Sequence, residues 1–285
     1  MELKEAKNID IVFLGLAQNC AKNLPTFFNV ISKIGKDRNI ITYVGENGSD
    51  DFTFDVIQKN IFLNNNINFI DTTIIEKFSD RIKRLAFARQ KLKDNLINLN
   101  ISPKLVCVVD LDEVLNENFT PKLIYDLEKT LDKNKEKYFA ISLKSEPYYY
   151  DILNFESEEY PNKGVKQLQN NRSIKSYNDR KNRIYNLQKS LTKKKAFECV
   201  SAFNGLCIYF YDDFIKSNYL ENTNDPSPEH LYLNRKINKI TGKKILVTEN
   251  MLRMPTEHKP LNNIVLFLIE KLTKYISIYF KKMKL

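Results

Sequence analysis

The chain predicts an α/β fold: a mostly parallel central sheet with flanking helices. Three observations carry that expectation. From Ile9 to Ser142, short β-rich runs alternate with longer runs of helical spacing. Those longer runs place apolar residues three and four apart, so each can lay a stripe on a sheet. At 285 residues with 42% hydrophobic content, the chain can bury a full core without metal or disulfide staples.

The elements follow in order. IDIVFLGL (9–16) is an apolar run of strand length, and LPTFFNVISKIG after it has helical periodicity. NIITYV (39–44), INFI (67–70), LVCVVD (105–110) and YFAISL (138–143) are the next strands. The segments TFDVIQKNIFL, RIKRLAFARQKLKDNLINL and TPKLIYDLEKTL link them as helices. Right-handed crossovers put the loops that follow such strands at one end of the sheet, where ligands of open α/β sheets bind. The second half is less regular. SEPYYYDILNFES leads into a polar basic stretch ending at Lys195, and FECVSAFNGLCIYFYDDF reads as one or two strands broken at Asn204-Gly205. PSPEHLYLNRKINKITGKK is a helix opened by Pro228 and closed by Gly242, and ILVT is a last short strand. Residues 1–260 therefore read as one domain with a basic excursion at 161–195. In the tail, 261–285, Val265, Leu268, Leu272, Ile276 and Tyr279 share one helical face flanked by lysines. Charges interrupt it too often for a transmembrane span, which leaves an interfacial helix or one packed on the domain.

The net charge of +10 is local: between Pro161 and Lys195 eleven Lys or Arg face the single Asp179. With only Tyr177 and Tyr185 as aromatics and no binding motif, the stretch gives no reason to expect a nucleic-acid partner. It reads as an exposed flap, or as a surface for an anionic substrate or lipid. The N-terminus lacks the features of a signal peptide, so the expected location is cytoplasmic, with the tail meeting the inner membrane face. Cys20, Cys107, Cys199 and Cys207 fit no metal-binding spacing and read as buried thiols.

VVDLDEVL (108–115) puts Asp110 and Asp112 one residue apart where an apolar strand ends. Carboxylate oxygens so placed suit Mn²⁺ or Mg²⁺, which could neutralise a diphosphate leaving group. The same letters match the first motif of haloacid-dehalogenase-like phosphatases, with Asp110 as nucleophile, Asp112 as acid/base, and Ser142, Asp212 and Asp213 as later motifs. A helix N-terminal cap is a third reading of such a pair. YVGENGSDDFT supplies Glu46 and Asp51 after the second strand, or else a polar turn with Gly48 left-handed. Arg81, Arg84 and Lys91 lie near one helical face, where guanidinium groups grip phosphate or simply face water.

The order acidic turn, arginine helix, DxD resembles the GT-A glycosyltransferases. The matching pieces are GENGSDDFT (45–53), RLAFARQ (84–90) and DLD (110–112). EPYYYDIL (146–153), VSAFNGLCIY (200–209) and PEHLYLNRKI (228–237) resemble, more loosely, blocks of the fungal capsule-associated mannosyltransferase-like group. Gln90 stands where an Asn is usual, Asn204 replaces a Gly, and DLDE departs from the subgroup's pattern. The resemblance implies a UDP- or GDP-sugar donor bound by the half 1–143, and a glycan, glycolipid or lipid-linked acceptor met by 144–260. It implies that Glu46 and Asp51 contact the nucleoside, that Arg84 and Arg89 hold diphosphate, and that Asp110 and Asp112 bind Mn²⁺ or Mg²⁺ with His230 as a further ligand. Glu229 and Asp151 become candidates for the catalytic base, Gly205 allows close approach of sugar, and Tyr148, Tyr149 and Tyr150 offer faces to the acceptor.

Overall fold

The computed structural model describes residues 9–74, 78, 80–99, 101–115, 117–162, 181–220, 227–255, 258 and 272. One eight-stranded sheet organises them, in the order β3-β2-β1-β4-β7-β5-β8-β6. Its strands are β1 (Ile11–Ala17), β2 (Ile40–Glu46), β3 (Ile67–Asp71), β4 (Leu105–Asp110), β5 (Tyr138–Glu146), β6 (Phe197–Cys199), β7 (Leu206–Phe210) and β8 (Lys244–Arg253). The first four pair in parallel, joined by α1 (Leu24–Ile34), α2 (Thr53–Leu63) and α3 (Arg81–Asn98). α4 (Pro121–Asp132) leads to β5.

The second half is mixed rather than parallel. β7 runs antiparallel to both β4 and β5, β8 is parallel to β5, and β6 is antiparallel to β8. Strand β7 is reached through an excursion, not through a helical crossover, so right-handed βαβ geometry does not constrain its direction. The break expected at Asn204-Gly205 is where both residues take positive φ, at 52° and 87°. The single turn α6 (Tyr211–Phe214) follows β7, and α7 (Glu229–Thr241) has Pro228 as N-cap and left-handed Gly242 as C-cap. β8 runs to Arg253, well beyond the four residues expected.

Apolar layers cover both faces of the sheet. Phe13, Phe27, Ile31, Ile124 and Ile141 belong to one, and Val12, Leu96, Phe139, Tyr209 and Leu233 to the other. The four cysteines are buried free thiols, as expected. The basic excursion is not wholly an exposed flap: a wide helical turn (Lys181–Tyr185) and α5 (Asn186–Lys193) close it, with Ile184, Tyr185 and Leu191 buried. Residues 163–180, and the tail expectation apart from exposed Leu272, lie outside the described residues. Among the described residues no helix is long and apolar enough to cross a membrane.

Candidate active site

The strand ends of β1, β2 and β4 open into a cleft of about 760 Å³, whose other wall comes from α3, the segment after β5 and the start of α7. Asp110 closes β4. Leu111 turns inward and is buried, so Asp112 returns to the side of Asp110, and both carboxylates line the cleft. Asp112 Oδ1 accepts from the Val114 amide at 3.1 Å, and the Asp110 amide donates to the Gly205 carbonyl at 2.9 Å. The first bond closes the acidic turn on itself, and the second ties it to the residue before β7.

Helix α3 starts at Asp80, which accepts from the Ile82 amide at 2.8 Å. Arg81 and Arg84, three residues apart, share a helical face and line the cleft. Arg89 does something else. It is 4% exposed; its Nη2 donates to Asp110 Oδ1 at 2.7 Å, its Nε lies 3.5 Å from Glu229 Oε1, and its guanidinium sits 5.0 Å from the Phe203 ring centre. Burial alone would lower the Arg89 pKa, and the Asp110 and Glu229 carboxylates more than reverse that. Arg89 lines the cleft with Arg81 and Arg84, but its Nη2 and Nε are turned to two protein carboxylates, which leaves its buried Nη1, without a hydrogen-bond partner among the described residues, for the expected diphosphate contact.

Other expected contacts move. Glu46 is 4% exposed and accepts from the Ser49 amide at 2.6 Å, closing its own turn and not lining the cleft. Asp51 accepts from the Ala21 amide at 3.1 Å and the Thr53 amide at 2.9 Å. Hydrogen bonding led by Thr53 holds its carboxyl below the ordinary value. Gly48 is left-handed, at φ 67°; Glu46 closes that turn, and Asp51 ties it to the loop after β1. In their place Gln18, Asn47 and Thr72 line that end of the cleft.

Gly205 meets protein rather than sugar. A Cβ there would lie 2.5 Å from Val114 Cγ1 and 2.8 Å from the Tyr150 hydroxyl. Neighbouring Asn204, the residue that departs from the glycine of the resembled pattern, builds a hub. Its Oδ1 accepts from the amides of Tyr150 and Asp151 at 3.2 and 3.3 Å, and its own amide donates to Asp151 Oδ2 at 3.2 Å. Asp151 lines the cleft and also accepts from Asn154 Nδ2 at 3.0 Å. Burial raises the Asp151 pKa against that hydrogen bond, and burial raises Glu229 against Arg89.

Of the tyrosines expected to face the acceptor, Tyr149 is fully buried and Tyr148 partly so. Tyr150 points its hydroxyl at Asp110 Oδ2, 3.4 Å away. His230 is 0% exposed; its ring stacks on Phe203 at 3.6 Å and meets Tyr219 edge-on, so it stands behind the cleft wall, and burial pushes its pKa well down. The histidine at the cleft is His258, which stacks on Tyr150 at 5.0 Å. Sequence reasoning missed it because its position depends on how far β8 extends. The Arg253 amide donates to the Val114 carbonyl and the Met254 amide to the Glu146 carbonyl, which carries the following residues past the acidic turn.

The phosphatase motifs do not converge. Ser142 is buried, donating to the Phe203 and Leu206 carbonyls, while Asp213 pairs with Lys216 and Lys243 at 2.7 and 2.9 Å. Both partners thus lie away from Asp110, and that reading lacks support.

No family model matches the chain, and no curated protein matches it. Solved structures do. A mycobacterial protein aligns with a TM-score of 0.51 at 11% identity, covering 90% of this chain and 70% of that one. Glucosyl-3-phosphoglycerate synthase from Mycobacterium tuberculosis, in complex with Mn²⁺, UDP and glucosyl-3-phosphoglycerate, aligns with a TM-score of 0.50 at 10% identity, covering 94% and 79%. At such identities a likeness speaks for architecture, and the architecture is the GT-A, nucleotide-diphospho-sugar transferase fold.

Proposed function

We propose that the chain is a glycosyltransferase, moving a sugar from a UDP- or GDP-sugar to a hydroxyl of a glycan, glycolipid or lipid-linked acceptor. One observation carries the reading: Asp110 and Asp112 line the same cleft as Arg81 and Arg84, at the strand ends of a GT-A sheet.

The donor set fits Mn²⁺ or Mg²⁺. Asp110 and Asp112 offer hard oxygens, and His258 an imidazole beside them. Among the described residues no three such side chains gather closely enough to enclose an ion. The remaining ligands would be water and diphosphate oxygens, as these cations prefer. When bound, the ion neutralises charge on the departing diphosphate. Arg81 and Arg84 grip the same phosphates, and Arg89 keeps Asp110 oriented. Asp151 takes the acceptor proton, since Asn154 and the Asn204 amide fix its carboxylate in the cleft. Glu229, tied to Arg89, is the less free of the two candidate bases.

The mycobacterial synthase in complex with Mn²⁺ and UDP supports this assignment of ligands by fold analogy. The blocks EPYYYDIL, VSAFNGLCIY and PEHLYLNRKI favour a capsule-associated mannosyltransferase-like acceptor chemistry. The basic tail favours a peripheral site on an anionic inner membrane face; flotation of the full chain that ignores anionic lipid would remove that part. The enzyme reading is tested by slow release of nucleoside diphosphate from UDP- or GDP-sugars with Mn²⁺, alongside no turnover of p-nitrophenyl phosphate.

A further inference from the structure

Tyr150, in the segment after β5, has its amide, carbonyl, ring and hydroxyl all engaged. The amide donates to Asn204 Oδ1 and to Ser145 Oγ, each at 3.2 Å, and the carbonyl accepts from the Ile152 amide at 2.9 Å. One residue earlier, the Tyr149 amide donates to Thr192 Oγ1 of α5 at 2.6 Å, so the turn before β7 and α5 hold this backbone from two sides. The Tyr150 ring is 7% exposed and stacks on His258, with ring centres 5.0 Å apart. Its hydroxyl lies 3.4 Å from Asp110 Oδ2. Gly205 makes room for it, since a Cβ there would come within 2.8 Å of that oxygen.

We infer that Tyr150 is a positioning residue of the cation site, its hydroxyl fixing the Asp110 carboxylate and its ring fixing the His258 imidazole. The inference rests on the metal-dependent reading of the cleft given above. A carboxylate alone turns freely about its Cβ–Cγ bond. Here Arg89 Nη2 holds Oδ1 at 2.7 Å and the Tyr150 hydroxyl holds Oδ2, so the plane is set from both ends while each oxygen keeps a lone pair for the cation. The stacked face restrains the exposed His258 ring in the same way.

Two other tyrosines serve packing instead. Tyr149 is fully buried, its ring meets Phe155 edge-on at 5.6 Å, and its hydroxyl has no hydrogen-bond partner among the described residues. Tyr209 is fully buried as well, and its hydroxyl pairs with Asn234 Oδ1 at 3.1 Å. Neither lines the cleft.

Calorimetric titration of the full chain with Mn²⁺ tests the role in wild type, Tyr150→Phe, Tyr150→Leu and Tyr209→Phe. Tyr150→Phe should weaken Mn²⁺ binding about tenfold, the lower end of what losing a partner of a metal ligand costs. Tyr209→Phe, the same deletion away from the cleft, should bind as wild type does. Tyr150→Leu also removes the stack and should weaken binding further. On a His258→Ala background Tyr150→Phe should cost its factor again, and Tyr150→Leu should cost no more than Tyr150→Phe, because the ring then has no imidazole to hold. Tyr150→Phe keeps the packed ring, so the test stands even where Tyr150→Leu fails to fold. Equal affinity in Tyr150→Phe and wild type, or an equal loss in Tyr209→Phe, would overturn this inference alone. A wild type that binds no Mn²⁺ would overturn the metal-dependent reading with it.

Discussion

Arg89 Nη2 stands 2.7 Å from Asp110 Oδ1 while its Nε stands 3.5 Å from Glu229 Oε1, so one buried guanidinium joins the acidic turn after β4 to the first residue of α7. Removing it leaves two carboxylates in a poorly solvated place. Arg89→Met should destabilise the fold by about 3–5 kcal/mol, the usual cost of stripping one partner from a buried pair. Urea unfolding measures it, and a loss under about 1 kcal/mol would mean the pair is solvated.

Gly205 and Gly242 both have positive φ, at 87° and 71°, but only the first is crowded. Gly242→Ala should cost about 1 kcal/mol for the left-handed conformation alone. Gly205→Ala adds overlap with Val114 and the Tyr150 hydroxyl, so its cost should exceed about 2 kcal/mol. It should also lower metal affinity, because Val114 belongs to the acidic turn. Equal melting temperatures for the two variants would contradict this account.

The two histidines should separate cleanly. His258→Ala should reduce Mn²⁺ affinity roughly tenfold, about 1.4 kcal/mol, with little change in stability. His230→Ala should do the reverse, since the ring is stacked on Phe203 inside the core. Calorimetric titration with Mn²⁺ and thermal unfolding give the two readings.

Asp151 yields a pH dependence. Burial raises its folded pKa above the ordinary 3.8, so the folded chain holds this proton more tightly than the unfolded chain. Its contribution to stability is complete below the ordinary value and is lost as pH rises through the folded value. Asp151→Asn should therefore gain stability relative to wild type as pH rises above the ordinary carboxylate value of 3.8. The same change should lower sugar transfer by about 10²-fold or more. A flat stability difference would deny the burial argument, and unchanged transfer would deny the role as base. Asp51 has the opposite sign: its lowered pKa gives stability above the ordinary value that is lost on acidification.

The parallel half was legible because each of its strands is a plain apolar run and each helix carries a plain stripe. LVCVVD is β4 to the residue, and Pro228 and Gly242 bracket α7 as capping chemistry requires. The motif pointed Arg89 at a ligand, and the spacing of α3 also holds the reason for its burial. Ala86, Arg89, Lys93 and Leu96 follow one another at three- and four-residue steps, and all four are buried, Arg89 also reaching the cleft that Arg81 and Arg84 line. Lys93 confirms that stripe by donating into the Phe214 carbonyl at 2.7 Å. His258 was beyond sequence reasoning, because pairing between β8 and β5 extends the strand past its apolar residues. Glu46 and Asp51 looked available for a ligand because a sequence does not show which backbone amides of a turn need acceptors.

The most direct test is calorimetric binding of UDP and of GDP to the wild type, with and without Mn²⁺, and to Asp110→Asn and Asp112→Asn. At least one nucleotide should bind only with the metal, and either substitution should abolish binding while the fold persists. Binding that ignores the metal and both substitutions, or no binding of either nucleotide, would contradict the account.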